Sequence, residues 1–229
     1  MSYVEEAQRM LESQGGVRPK SAPISVRGAS ELTICLDMDG VCTDFVGAAL
    51  RLHGFDPEEF FEVWPEESYH IVDLVKQVTG VEMSYAEFWQ PINEAGVDFW
   101  HGLLEYPHFK ALWSLCQELT GSVYFLTSPS WDPASLMGKV RWMQDQFSLD
   151  FRDYVITNRK HLLAKPNMVL VDDLPEHADA FRRHGGKAIQ FPRPYCYKAW
   201  PHDIIGLMEE QLQEIIDGLD DDAPTGTEG

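Results

Sequence analysis

Leu32-Thr33-Ile34-Cys35-Leu36-Asp37-Met38-Asp39-Gly40-Val41-Cys42 decides how the rest of the chain is read. Its first five residues make the largely apolar run that fills a buried parallel strand. The run stops at two carboxylates two residues apart, Asp37 and Asp39, followed by glycine. Residues i and i+2 of a strand share a side, so both acids are expected together at the strand's end. Two like charges at the edge of a core repel each other and lose hydration; a cation between them relieves both costs. Open α/β sheets bind ligands just beyond the carboxyl ends of their strands, where these acids would sit. A plain turn also uses Asp-x-Asp-Gly, as does a calcium loop. The calcium reading fails because Val41, Cys42 and Phe45 stand where further ligands would be needed, and no closing glutamate follows.

At 229 residues the chain can bury one core and carry a sizeable insertion. A net charge of −19 argues against a nucleic-acid polymer or an anionic membrane as partner. The same charge opposes a phosphate substrate unless a local metal and lysine reverse the field at the site. Cys35, Cys42, Cys116 and Cys196 show neither a paired nor a metal-binding spacing, and read as free, buried thiols. There is no basic-then-apolar leader and no run of membrane-spanning length, so a reducing, cytoplasmic setting is expected.

Residues 1–30 read as a short helix and a linker, and the acidic segment 217–229, which lacks apolar anchors, as a disordered tail. Four more strands are predicted after the first. Ser122 to Leu126 runs into Thr127-Ser128-Pro129, Tyr154 to Ile156 into Thr157-Asn158, Met168 to Val171 into Asp172-Asp173, and Lys187 to Phe191 into Pro192. Helical patterns lie between them: Phe109 to Leu119 stopped by Gly121, Asp132-Pro133 to about Phe147, and Pro175 to His184 before Gly185-Gly186. Ile204, Ile205, Met208, Leu212, Ile215 and Ile216 stripe a last helix that packs on the domain, with a homodimer contact as the other option. This alternation implies an α/β fold with a Rossmann-like, doubly wound parallel sheet, built from residues 31–44 and 108–216. Residues 45–107 break it. Asp56-Pro57, Ser68 to Val78 and the capping box at Ser84 start helices with no strands between them, so this stretch is expected to be a small helical cap over the carboxylates. Most of its aromatics are core; a few, Phe45 among them, can line a pocket and stack on a planar ligand, with Phe99 and Trp100 as further candidates.

Four polar elements thus close presumed neighbouring strands: Asp37/Asp39, Thr127/Ser128, a lysine, and Asp172/Asp173. Oxygen ligands of this kind suit magnesium that keeps some waters and meets a phosphate oxygen. Backbone N–H groups near Met38 and Gly40 can add an anion nest. Lys160 or Lys165 can supply the ammonium group; Lys139 reads as a surface lysine on its helix. None of the eight histidines shows a ligand spacing, so all are read as surface or satisfied side chains.

Asp-Met-Asp-Gly-Val, Leu-Thr-Ser, the downstream lysine and Val-Asp-Asp together resemble the four motifs of the haloacid dehalogenase superfamily of phosphotransferases. Asp-Met-Asp-Gly-Val-Cys-Thr-Asp-Phe, Phe-Leu-Thr-Ser-Pro, Tyr-Val-Ile-Thr-Asn-Arg-Lys and Val-Leu-Val-Asp-Asp-Leu-Pro are most similar to the 5'(3')-deoxyribonucleotidases. The resemblance implies a magnesium-dependent phosphomonoesterase acting on nucleoside monophosphates. Asp37 would be the nucleophile and Asp39 the general acid and base. Asp37, Asp39 (through its carbonyl), Asp172 and Asp173 would hold Mg2+, the last through water. Met38, Gly40, Thr127, Ser128 and Lys160 would bind phosphate, and Phe45 the base. The nucleotidases carry an arginine two residues before the lysine, where this chain has Asn158. A phosphatase for another small ester, such as a sugar phosphate, and a catalytically silent binding domain on the same fold stay open as alternatives.

Overall fold

Five parallel strands in the order β3-β2-β1-β4-β5 form the sheet of the computed structural model, which describes residues 32–66 and 68–221. They are β1 (Thr33–Leu36), β2 (Val123–Thr127), β3 (Tyr154–Ile156), β4 (Met168–Asp172) and β5 (Lys187–Gln190). β1 is central, paired on one side with β2 (Leu36 beside Phe125) and on the other with β4 (Leu36 beside Val171). This register sets Asp37, Thr127 and Asp172 at one edge of the sheet, each just past an apolar pair. The expected α/β doubly wound sheet is the observed one. The N-terminal helix and linker expected over residues 1–30 lie outside the described residues, as do the last eight residues of the tail.

Between β1 and β2 come α1 (Phe45–Leu52), α2 (Pro57–Phe61), α3 (Ile71–Thr79), α4 (Tyr85–Ala95), α5 (Val97–His101) and α6 (Phe109–Thr120). The capping box that predicted α4 forms, with Glu87 N–H donating to Ser84 Oγ and Ser84 N–H donating to the Glu87 carboxylate. α1 and α5 were not expected. α1 starts on Asp44, whose carboxylate accepts from Gly47 N–H at 2.8 Å; a side chain at Gly47 would collide with that carboxylate. Gly47 reads as a helix breaker in sequence but makes room for the cap.

Three apolar cores result, the smallest made by Cys35, Leu126, Leu170 and Phe181. The largest lies along the sheet, with Phe109, Trp113, Phe125 and Trp142 at its centre. The second joins α1, α2 and α3 through Leu50, Phe60, Trp64 and Val75, and also takes in Tyr195 and Cys196 from beyond β5. The helical layer is therefore tied to the chain that follows both β1 and β5.

After β2, α7 (Ala134–Gln146) crosses to β3, and α8 (Pro175–Arg183) joins β4 to β5. α5 lies directly on α7: a Cβ at Gly138 would collide with Trp100. α9 (Ile204–Asp221) buries Ile204, Met208, Leu212 and Ile216 against the domain, as its stripe predicts. It runs on through Asp221, so the tail expected from 217 starts later than its composition suggests. All four cysteines are buried and free. Among the described residues no helix is long and apolar enough to cross a membrane.

Candidate active site

The loop after β1 is fixed by its own backbone. Cys42 and Thr43 N–H both donate to the Met38 carbonyl at 2.8 Å, and Asp37 N–H donates to Val171 O in β4 at 2.9 Å. Gly40 N–H donates to Thr43 O at 3.0 Å. That N–H was expected in an anion nest with Met38; the turn uses it instead. Gly40 contributes space: its φ is +80°, and a Cβ there would collide with the Asp173 carboxylate. Gly40→Ala is therefore expected to lower stability by about 1–2 kcal/mol from backbone conformation alone, and more once Asp173 is displaced. Urea unfolding measures it, and an unchanged midpoint would mean the loop relaxes freely.

Lys160, in a short 3-10 turn after β3, is fully buried between two of the acids, its Nζ 2.8 Å from Asp37 Oδ1 and 2.6 Å from Asp172 Oδ2. Lys165, the other candidate, is exposed. Burial alone would lower the Lys160 pKa, but the two carboxylates outweigh it and raise it, so the ammonium stays charged. One ammonium cannot satisfy every acid around it. Asp172 takes the larger share: despite burial, Lys160 and His177 hold its pKa down. Asp37 is left with a pKa raised first by burial and then by Asp172 and Asp39. Its Oδ1 is held by Lys160 Nζ at 2.8 Å and by no other group among the described residues. Asp173 is pushed well up by burial, Asp172 and Asp37, against a 2.9 Å hydrogen bond from Tyr195 OH.

Lys139 corrects the surface reading. It is buried, and its Nζ donates to Asp39 Oδ2 (2.6 Å), Thr127 Oγ1 (2.9 Å) and the Ser128 carbonyl (2.7 Å). The signal was available: Ser135, Gly138, Lys139, Trp142 and Met143 repeat at helical spacing and form the buried face of α7. A lysine on an apolar stripe has to find an anion, and this one finds Asp39. Thr43 Oγ1 holds the other Asp39 oxygen at 3.2 Å.

His177, read with the other histidines as surface or satisfied, is of the second kind: it is partly buried with its Nδ1 3.1 Å from Asp172 Oδ2. Its place at the cavity was not foreseen. Asp37, Asp172 and His177 offer ligand atoms all within 4.8 Å of one another. Four carboxylates (Asp37, Asp39, Asp172, Asp173) thus face two ammonium groups (Lys139, Lys160), and the raised pKa values of Asp37 and Asp173 mark the shortage of positive charge. Acids crowded in this way fit a divalent cation held by oxygen.

Above the acids lies a cavity of about 320 Å³, large enough for a small organic ligand. Asp37, Asp39, Gly40, Ser128, Asp173 and His177 make its polar end; Phe45, Trp64, Tyr69, Ile71, Trp89 and Trp100 make its apolar walls. Thr127 stays beneath, its hydroxyl held by Lys139. Phe45 is already flanked by Trp100, Trp89 and Phe99 at ring separations of 5.5–5.9 Å.

A family model described as "5' nucleotidase, deoxy (Pyrimidine), cytosolic type C protein" matches residues 31–201. The chain belongs to this family. Its match spans the sheet, the helical insertion and every acid and lysine of the site, and the haloacid dehalogenase resemblance of the motifs holds with it. The chain is also similar to solved haloacid dehalogenase-like hydrolases. One from Deinococcus radiodurans with bound phosphate and sodium has 10% identity and a TM-score of 0.49, covering 83% of this chain and 98% of that one. One from Xanthomonas campestris has 8% identity and a TM-score of 0.49 at the same coverages. One from Agrobacterium tumefaciens has 17% identity and a TM-score of 0.47, covering 82% of this chain and 98% of that one. No curated protein matches the chain. As a member of the nucleotidase family, the protein is a phosphatase-type hydrolase for small phosphate esters.

Proposed function

We propose that the protein is a magnesium-dependent phosphomonoesterase that works through an aspartyl-phosphate intermediate and takes a nucleoside monophosphate as substrate. The observation that carries this reading is Asp37 itself. It is a buried carboxylate whose cationic partner, Lys160, is shared with Asp172, and it lines a cavity whose other walls are apolar.

Asp37 attacks phosphorus and becomes the acyl phosphate, while the P–O bond to the leaving group breaks. Asp39 donates a proton to the departing alkoxide and then takes one from the water that hydrolyses the intermediate. Lys139 serves this second role by holding the Asp39 carboxylate toward the cavity. Ser128 and the Met38 N–H contact the phosphoryl oxygens, and Thr127 steadies Lys139 beneath them. Lys160 keeps Asp37 ionised for attack and Asp172 ionised for the cation. Asp37, Asp172, the Asp39 carbonyl and, through water, Asp173 would hold Mg2+, with His177 bracing Asp172. When bound, the ion supplies positive charge that neutralises the phosphate and lets two anions approach. Phe45 and its neighbours exclude water around the leaving group, and the segment 45–107 acts as the cap.

Phosphate release over a panel of nucleoside monophosphates and sugar phosphates, with and without Mg2+, tests the proposal. Hydrolysis of nucleotides in Mg2+, lost on chelation, is the expected result. A preference for sugar phosphates would move the substrate class and leave the chemistry. No release from any ester would sink the reading.

A further inference from the structure

Trp131 is 99% exposed, the least sheltered large apolar side chain among the described residues. Its backbone is nevertheless held. Ser130 N–H donates to Ser135 Oγ at 3.0 Å, Ser135 Oγ donates to Asp132 O at 2.9 Å, and Ala134 N–H donates to Asp132 Oδ1 at 2.8 Å. The buried Ser135 ties this turn to α7. The fold therefore presents an indole to solvent from a fixed position.

That position adjoins the proposed reaction centre. Ser128, Pro129 and Ser130 line the inner cavity, and three residues of chain span at most about 11 Å. Trp131 thus stands within one mononucleotide's reach of the phosphate end. Beside it opens a second cleft, of about 730 Å³, bounded by Trp131 and by Tyr85, Trp89, Gln90, Asn93 and Glu94 of α4. Trp89 is a wall of both cavities, so the cleft and the inner cavity are neighbours on either side of one indole. Phe45 is crowded by three rings, whereas Trp131 has its faces open. The α4 wall adds amide and carboxylate groups, with Gln90 Nε2 donating to Glu94 Oε1 at 2.9 Å. An open indole opposite a hydrogen-bonding edge suits a flat heterocycle that carries both donors and acceptors.

We propose, resting on the phosphomonoesterase reading above, that Trp131 is a specificity-determining residue: it stacks on the heterocyclic ring of the ester's leaving group, which extends from the inner cavity past Trp89 into the outer cleft. The substrate class is then set outside the catalytic cavity. An ester without a ring reaches the acids equally well but gains nothing from the cleft.

Steady-state kinetics of the full chain in Mg2+, with a nucleoside 5'-monophosphate and with β-glycerophosphate, test this. Trp131→Ala is expected to raise KM for the nucleotide on the order of tenfold and to change kcat/KM for β-glycerophosphate less than about twofold. Trp131→Phe, which keeps a ring face, is expected to restore most of the loss. An unchanged nucleotide KM in Trp131→Ala overturns the inference and leaves the phosphomonoesterase reading intact, as does an equal loss on both esters. A change of oligomeric state without a change of KM also overturns it, because Trp131 would then face a second copy of the chain. If the wild type hydrolyses neither ester, both readings fall together.

Discussion

Asp37→Asn is expected to cut phosphate release by at least about 10⁴-fold while leaving the metal-free protein as stable as the wild type or more so. The loss of rate follows from the role: an amide oxygen is a poor nucleophile, and removing a covalent participant costs far more than removing a contact. The gain in stability follows from the site. The folded-state pKa of Asp37 is raised, by burial first and then by Asp172 and Asp39. A carboxyl with a raised folded pKa takes up protons more readily folded than unfolded. Its charge therefore opposes folding at neutral pH, and that penalty is relieved as pH falls through the folded pKa. Asparagine has nearly the same shape and carries no charge, so it removes the penalty at pH 7. Phosphate release and thermal melting in chelator check the two halves. A variant that is inactive because it is unfolded would contradict the account, and one that turns over at the wild-type rate would remove Asp37 from the chemistry. Most inactivating substitutions also destabilise; one that inactivates and stabilises marks a group kept for reaction at the expense of the fold.

The same tension explains which parts of the protein could be read from its sequence. The strands were legible because four of the five apolar runs meet a hydroxyl or a carboxylate at their carboxyl ends, and Thr127, Asp172 and Asp37 fall at one edge once the runs pair in register. Lys160 was legible by resemblance, although its burial was not. Lys139 and His177 were missed for a shared physical reason. Each is a polar residue on a helix, where the solvated reading wins unless the neighbours at i±3 and i±4 are weighed with it. For Lys139 those neighbours are Ser135, Gly138, Trp142 and Met143, all buried. For His177 the deciding partner is Asp172, three residues before the first residue of α8, where a carboxylate and a ring can meet. Tyr195 carried no local signal: its hydroxyl reaches Asp173 across 22 residues. α1 was hidden because Gly47 lowers helix propensity while answering a steric demand from Asp44. Local pattern recovers elements whose side chains serve the core. It fails where a side chain serves a charge brought in from another element.

Lys160→Met should be the most destabilising single change at the site, by about 3–5 kcal/mol in the absence of divalent cation. The side chain is 1% exposed and stands between Asp37 and Asp172 at 2.8 and 2.6 Å. Methionine nearly fills the volume, so the loss comes from charge and not from a cavity. With the ammonium gone, Asp172 loses the main partner that lowers its pKa, and Asp37, Asp172 and Asp173 share one pocket without the lysine between them. The shortage of positive charge deepens. Added Mg2+ should therefore recover more stability in Lys160→Met than it adds to the wild type, since an ion that binds only the folded state stabilises in proportion to its affinity. Activity should stay low even in saturating Mg2+, because the ion replaces the charge of Lys160 but not its place beside the attacking oxygen. Urea unfolding at several Mg2+ concentrations separates these effects. Equal Mg2+ shifts in the two proteins would show that Lys160 and the cation answer different carboxylates, and the proposed metal site would have to be drawn without Asp172.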